Sequence, residues 1–245
     1  VLPKKQKRKV ADPLLEFSAC VRRMCDDMQR FEEMGARSDG SEIIGGDARL
    51  CTGVADQSVD FVLTSPPYPN NYDYADATRL EMSFLGEIAN WSDLHDVVRK
   101  HLIRSCSQHT AKDSLDTRAL LGEPTLAPIK EELSAACETL SIARTQRAGK
   151  KTYDSMIAAY FLDLGLTFKA LARVVRPGGT ACLVIGDSAP YGTYIPADRW
   201  LAALAEAAGF SFDRFEETRK RNIKWKNRKH RVPLREGRLW LKRGG

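Results

Sequence analysis

The stretch Ser65-Pro66-Pro67-Tyr68 ends an apolar run and has the residue types to form a rigid binding notch. The run SVDFVLTS over 58–65 has the pattern of a strand, and the two prolines stop it. Proline fixes φ and lacks an N–H, so this strand exit holds the Ser65 hydroxyl and the neighbouring carbonyls in place. Such acceptors beside the Tyr68 ring suit a planar ligand that carries an amino group. The alternative is a rigid proline loop or a proline-rich docking peptide.

Two more polar turns follow apolar segments. SEIIGGD over 41–47 predicts a short strand that runs into Gly46 and Asp47, and TACLVI over 180–185 predicts a buried strand closed by a Gly-Asp-Ser turn. In parallel sheets, ligands bind at the carboxyl ends of the strands. We therefore expect the three turns to share a site. A structural Asp47 that caps the next helix is the alternative.

The remaining elements place these turns in an α/β fold with a mostly parallel sheet. Helices are predicted over 14–34, 76–90, 155–175 and 197–209. Two strands around the last basic segment predict a C-terminal antiparallel hairpin. We interpret 1–40 as a basic arm with a helix, and 91–150 as a helical insertion in the domain that spans 41–245.

Positive charge is concentrated in two clusters, although the net charge is only +6. Residues 4–9 hold five Lys/Arg, and residues 219–231 hold eight with no acid. Such clusters suit a polyanion, and a solvated basic face is the alternative. The first cluster also resembles a nuclear import signal. A basic linker or a DNA-contacting arm explains the same residues equally well. The candidate nucleic-acid contacts in the second are Arg219, Lys224, Trp225, Lys226 and Arg228, with the tryptophan stacking on a base.

Several functional classes are disfavoured by composition. The six cysteines form no C-x-x-C pair, which argues against a zinc or thioredoxin-type centre and for reduced thiols. No apolar run approaches eighteen residues, and the N-terminus has no secretory pattern, so we expect no membrane partner. No metal site is predicted.

The tract Thr64 to Tyr68 resembles the catalytic signature of the DNA amino-methyltransferases, which methylate N4 of cytosine or N6 of adenine. The resemblance extends over 41–245: GDARL precedes the SVDFVLTSPPY strand, and RVVRPGGTACLVIGDS is similar to a later helix, turn and strand of that family. The longer TSPPYPNNYDYADATRLEM resembles a bacterial branch of site-specific DNA methylases.

The resemblance implies a Rossmann-like fold, S-adenosyl-L-methionine as cofactor and DNA as partner. The target base is flipped out of the duplex, and its amine bonds to Ser65 and to the Pro66 carbonyl while Tyr68 stacks on the ring. Pro67 completes the catalytic tract. Positioning is then the main catalytic device. The resemblance assigns Asp47, with Gly46 beside it, to the cofactor. Asn70, Asn71, Tyr72 and Tyr74 follow the signature and are candidates to line the base pocket, with packing of the loop as the alternative.

Serine rather than aspartate before Pro-Pro-Tyr resembles the cytosine-N4 subgroup of that family, which implies cytosine N4 as the target. No cysteine follows a proline, which argues against cytosine C5 chemistry. The expected setting is a bacterial restriction-modification system in the cytoplasm, at the nucleoid. The alternatives are adenine-N6 methylation, methylation of RNA amino groups, and a non-catalytic nucleic-acid-binding subunit of a methylase complex.

The glycine-rich cofactor loop of that family is not found in this chain. The glycines before the SPPY strand stand in unsuitable contexts, and Pro177-Gly178-Gly179 lies in a helix-to-strand turn. We expect the loop to be supplied by a segment upstream of Val1 or by a second chain. The chain alone is therefore expected to bind the cofactor weakly.

Overall fold

A computed structural model describes residues 11–35, 40–111, 115–146, 151–221 and 232–245. The chain divides into two compact units, 1–45 and 46–245. The first unit contains helix α1 (Pro13–Glu33), which confirms the predicted helix. The side chain of Asp12 accepts hydrogen bonds from the backbone N–H groups of Leu14 and Leu15, so it caps the first turn.

The predicted strand over 41–47 is wrong. These residues form no helix or strand, and Ile43 is fully exposed. A strand needs a neighbour to pair its backbone groups, and no described strand pairs with this segment. Gly46 and Asp47 lie in irregular chain, and turns follow from residue 48.

In the part of the chain that the structure describes, four strands form one mixed sheet. Strand β1 (Val59–Thr64) pairs in parallel with β2 (Val175–Gly186). Strands β3 (Phe210–Arg221) and β4 (Leu234–Arg243) form the predicted antiparallel hairpin. The order is β1-β2-β4-β3, and β4 also runs antiparallel to β2.

The sheet is therefore mostly antiparallel, and the expectation of a mostly parallel sheet is wrong. Only the connection between β1 and β2 is the long helical crossover that a parallel pair requires. The hairpin inserts its second strand beside β2, which adds two antiparallel pairings to one parallel pairing. The α/β class itself holds.

Helices fill the crossover between β1 and β2. The helix predicted over 76–90 is two short helices, α2 (Tyr74–Ala77) and α3 (Arg79–Phe84), and Gly86 with φ +78 follows the second. The segment 91–150 is helical over most of its described part. It contains α4 (Asp93–Val97), α5 (Ser107–Ala111), α6 (Thr117–Leu121) and α7 (Lys130–Gln146), with 3-10 turns at Arg99–His101 and Pro124–Ile129.

The core forms around helix α8 (Tyr153–Val174), which confirms the predicted apolar helix. Helix α9 (Ala197–Ala207) packs beside it, and both lie against one face of the sheet. Helix α8 is long and apolar enough to cross a membrane, but 83% of its most apolar window is buried inside the fold. Gly209 follows α9 with φ +99, the left-handed conformation that ends many helices.

The opposite face of the sheet carries exposed apolar side chains. Phe61 is 49% exposed and Leu63 is 68% exposed, and the Phe61 ring stacks on Trp240 at a centroid distance of 6.3 Å. Among the described residues, β1 pairs with β2 alone, so its other edge keeps free backbone groups. An open edge beside an apolar face is the surface on which a sheet is extended.

Candidate functional site

A cavity of about 410 Å³ opens at the carboxyl end of β1. Three short chain segments line it: 46–48, Ser65 with Pro67, and 101–103, together with the ring of Tyr74. Two of the three predicted turns thus meet, although one follows no strand. The volume lies in the range of ligand pockets.

Ser65 lies where β1 leaves the sheet. The last residue of β1, Thr64, is in register with Leu183 of β2, and the Ser65 hydroxyl donates a long hydrogen bond of 3.5 Å to the carbonyl of Val184. Pro66 and Pro67 are half-buried. The hydroxyl is therefore exposed and weakly engaged, so its oxygen is available to a ligand.

Tyr68 is half-buried and lies outside the lining of this cavity. Its ring packs beside Gly186, where an added Cβ would lie 3.0 Å from Cε2 of the ring. The guanidinium carbon of Arg221 lies 5.2 Å from the ring centroid, in cation–π range. Burial, and then the carboxylate of Glu236, raise the pKa of Tyr68, so the phenol stays neutral.

Asp47 presents a carboxylate to the cavity. The Arg49 side chain binds it from Nε and Nη2 at 3.0 and 2.7 Å, and the Arg49 backbone N–H donates to the same side chain at 2.9 Å. These bonds from Arg49 hold the pKa of Asp47 below its usual value, although burial opposes them. The residues after Asp47 form turns rather than a helix, so the helix-capping alternative fails.

A buried acid on α8 anchors two walls of the cavity. Asp163 accepts hydrogen bonds from Arg49 at 3.2 Å, and from the backbone N–H and side chain of Arg104 at 2.9 and 2.6 Å. Arg49 directly follows the 46–48 wall, and Arg104 directly follows the 101–103 wall. Because the Asp163 side chain is only 1% exposed, these bonds are shielded from water.

A second arginine fixes the chain behind the Asp47 turn. The guanidinium of Arg173 donates to the carbonyls of Leu50, Cys51 and Val54 at 3.0 to 3.1 Å, and pairs with Asp56. The irregular segment that carries Asp47 is thus tied to α8 at two places along that helix.

The residues after the signature hold one another in place. Asn70 accepts a hydrogen bond from the backbone N–H of Tyr72 at 3.2 Å, and the Tyr72 ring meets Tyr74 edge to face at 4.7 Å. Of these three, only Tyr74 lines the cavity. Asn71, with φ +63, accepts from Ser107 and so anchors the loop to α5.

The predicted DNA-binding cluster is described only in part. The side chain of Arg219 pairs with Glu236 at 2.7 Å while remaining largely exposed. Residues 1–10 lie outside the described residues, as do Lys224, Trp225, Lys226 and Arg228. The predicted role of the cluster stays a prediction.

Asp187, in the third predicted turn, lies outside the lining of the cavity. Asp187 accepts hydrogen bonds from the Tyr194 hydroxyl at 2.7 Å and from the Ala197 N–H at 3.1 Å, so it caps α9. Burial raises its pKa above the usual value.

Sequence reasoning missed the 101–103 wall and Asp163. His101 has no ligand spacing in the sequence, and only the fold brings it to the cavity. Asp163 did leave a signal, because it is an acid in the middle of an apolar helix. Such an acid is expected to have a buried partner.

The chain is similar in sequence to type II methyltransferases. It is 27% identical over 170 residues to the type II methyltransferase M.BsoBI of Geobacillus stearothermophilus, a match that covers 64% of this chain and 32% of the relative. M.AvaI of Nostoc sp. is 26% identical over 163 residues, covering 63% of this chain and 31% of the relative. The resemblance noted from the TSPPY tract is thereby confirmed, and the chain spans about a third of the length of these curated relatives.

Solved structures give a weaker likeness. A protein of Thermus thermophilus assigned as a DNA modification methylase, solved in complex with S-adenosyl-L-methionine, has a TM-score of 0.38 and 15% identity. The match covers 82% of this chain and 52% of that one, and it is too distant to carry the assignment. No protein-family model matches the chain.

Proposed function

We propose that this chain is the target-base part of an S-adenosylmethionine-dependent DNA methyltransferase that acts on an exocyclic amine. The observation that carries the proposal is the cavity that joins Ser65 and Pro67 of the TSPPY tract to Asp47. A base-binding notch and a cofactor-binding acid must lie together for methyl transfer, because the reacting atoms must be held in contact. The sequence similarity to type II methyltransferases supports the same class.

The catalytic groups act by placing the amine. The exocyclic nitrogen of a nucleobase is a poor nucleophile because its lone pair is delocalised into the ring. Hydrogen bonds from this NH₂ to the Ser65 oxygen and the Pro66 carbonyl favour a pyramidal nitrogen with a more available lone pair. The weak existing bond of Ser65 to Val184 leaves its oxygen free to accept.

Tyr68 is proposed to stack on the flipped base. The half-buried ring is fixed by Gly186 and faces the guanidinium of Arg221. A base that enters on this face must take the place of Arg221, and the freed cation then lies close to the DNA backbone. Cation–π and base–aromatic contacts are of similar strength, so the exchange is feasible.

The cavity fits part of the cofactor. The ionised carboxylate of Asp47 is an acceptor for N–H or O–H donors, with Gly46 leaving the backbone beside it accessible. Bound S-adenosylmethionine supplies an electrophilic methyl group. The described residues contain no glycine-rich loop for the rest of the cofactor, and the open edge of β1 suits a further segment that carries one. We propose that this segment completes a Rossmann-like sheet.

Cytosine N4 is the proposed target atom. A neutral serine precedes the prolines in this chain. The adenine-N6 subgroup of the DNA amino-methyltransferases, which the chain resembles, typically has an acid at this position. Adenine N6 is the second candidate because the same notch accepts either amine. Mass spectrometry of nucleosides from methylated DNA separates them: N6-methyladenine without N4-methylcytosine rejects our choice.

The test is methyl transfer from labelled S-adenosylmethionine to duplex DNA. The 245-residue chain is assayed alone and within a longer polypeptide that includes the cofactor segment. We expect transfer by the longer form, loss of at least about a hundredfold in Ser65→Ala and Tyr68→Ala, and little change in Ser58→Ala, whose hydroxyl bonds the Ala55 carbonyl away from the cavity. A longer form that binds DNA and cofactor without transfer supports a non-catalytic subunit, and preference for structured RNA supports RNA methylation.

A further inference from the structure

Helix α1 carries an apolar seam that repeats every seven residues. The seam consists of side chains at alternating intervals of three and four, each between 41% and 77% exposed: Leu14, Phe17, Val21, Met24, Met28 and Phe31. No residue of α1 is buried. A helix that packs on a globular core usually has a wider stripe, whereas a strict three-four repeat is the pattern of a coiled-coil seam.

We propose that α1 pairs with α1 of a second copy of this chain as an antiparallel two-helix coiled coil. In an antiparallel pair the a and d positions of the heptad face one another. With Val21 opposite the partner's Met24, the same register places Leu14 opposite the partner's Phe31 and Phe17 opposite the partner's Met28. All six seam residues then pair, and Met28 meets the aromatic ring of the partner's Phe17 in the second and fifth of the six layers, which is a favourable contact.

Charge decides between the two orientations. In a parallel pair, the positions that flank the seam bring Asp27 beside the partner's Glu32 on both sides, and like charges at these positions oppose pairing. The antiparallel register instead places Asp27 beside the partner's Cys20, and Ser18 beside the partner's Cys25. No like-charged pair flanks the seam in this arrangement.

The area is sufficient for a weak but specific dimer. Twelve side chains at about 100 Å² each remove about 1,200 Å² from water, which is the lower end of the range for stable interfaces. A helix of 21 residues is marginal in water without such packing. Dimer formation therefore also accounts for a helix in which no residue is buried.

Sedimentation of the full chain tests the dimer. We expect a concentration-dependent dimer that Met28→Asp weakens on the order of a hundredfold, because the substitution places a carboxylate in the seam. The matched control is Gln29→Asp, which puts the same group one residue away on the outer face and should leave the dimer intact. Circular dichroism follows the helix content of both variants: Met28→Asp should lose helix as its dimer dissociates, because α1 is marginal without packing, and Gln29→Asp should keep it.

Cross-linking tests the orientation and keeps the proposal falsifiable if both variants lose helix. With Cys20→Ser, the substitution Ser18→Cys should form an inter-chain disulfide with the partner's Cys25 under mild oxidation. A wild-type disulfide between Cys20 and the partner's Cys25 would indicate a parallel pair and overturn the antiparallel register. A monomer at every concentration, or equal weakening by Met28→Asp and Gln29→Asp, would overturn the dimer and leave α1 to pack on its own chain.

Discussion

The guanidinium of Arg221 lies 5.2 Å from the ring centroid of Tyr68, so the aromatic face proposed to receive a base is already covered by a cation. Arg221 also donates a hydrogen bond of 3.1 Å to the carbonyl of Asp187. It stands at the last residue of β3, where the chain enters the basic segment 222–231. Base docking and contact with the DNA backbone are therefore coupled at one side chain in the proposed mechanism.

Substitution of Glu236 by glutamine should strengthen DNA binding. Glu236 pairs with Arg219 at 2.7 Å and lies 3.9 Å from Arg221, so it holds both cations back from phosphate. We expect affinity to rise about three- to tenfold at low salt, with a salt slope steeper by about 1. Titration of labelled duplex at several salt concentrations measures both.

The control is Glu217→Gln, which makes the same change of net charge at an exposed position of β3. Equal gains in the two variants would mean that net charge, rather than release of Arg219, controls binding.

Gly186→Ala should lower the rate of methyl transfer strongly while the protein stays folded. Its Cβ would lie 2.7 Å from Nη1 of Arg221 and 3.0 Å from the Tyr68 ring, so both side chains must shift. A misplaced stacking group lowers the rate by about ten- to a hundredfold, while such overpacking costs about 1–3 kcal/mol of stability. Assays beside urea unfolding measure the two effects. Gly45→Ala, whose Cβ meets nothing within 4 Å, should change neither.

Asp163→Asn should destabilise the fold by about 3 kcal/mol, because it breaks a buried ion pair, removes the counter-charge of Arg104 and leaves Arg49 paired with Asp47 alone. Asp56→Asn removes an exposed partner of Arg173 and should cost less than about 1 kcal/mol. Urea denaturation compares the two. A loss below that of Asp56→Asn would show that Asp163 does not anchor the cavity walls.

Two Tyr→Phe substitutions should have different effects on the free energy of unfolding. Among the described residues, the buried hydroxyl of Tyr160 has no hydrogen-bond partner, so Tyr160→Phe should leave stability unchanged or raise it by about 1 kcal/mol. Tyr194 donates to Asp187 at 2.7 Å, and Tyr194→Phe should cost about 1 kcal/mol. Thermal unfolding of both variants checks this. A marked loss in Tyr160→Phe would reveal an unseen partner such as bound water.

Acidification should destabilise the fold through His109. Burial lowers the pKa of His109 below its usual 6.5, although Asp73 opposes this and Arg99 assists it. The unfolded chain therefore takes up a proton as the pH falls through 6.5 while the folded chain does not, so stability is lost on acidification. We expect a loss of about 1 kcal/mol between about pH 7.5 and 5.5. His109→Gln should flatten this slope.

Local features of the fold were predictable from sequence. Helices α1, α8 and α9 follow from continuous apolar periodicity with clear stops, and the prolines end β1 close to the predicted residue. The hairpin of β3 and β4 also follows from two alternating strands. Each of these elements is determined mainly by residues that are close together in the sequence, so its pattern can be recognised locally.

The sheet and half of the cavity could not be predicted because they depend on distant contacts. The sequence around Leu234 does not predict that β4 pairs with β2 as well as with β3. This second pairing makes the sheet mostly antiparallel. The bond from Arg49 to Asp163 spans 114 residues. The segment 41–47 has apolar residues typical of a strand, but a strand forms only where a neighbour is available.

The hydrogen bonds from Arg173 to three backbone carbonyls should affect where a protease cuts the chain. The segment around Leu50 and Val54 has no helix or strand, and such chain is normally the first that a protease cuts. To enter a protease active site the chain must leave its surroundings and extend, which would break the bonds to Arg173 and to Asp163 together. Nicking should therefore spare this segment until the whole 46–245 unit opens.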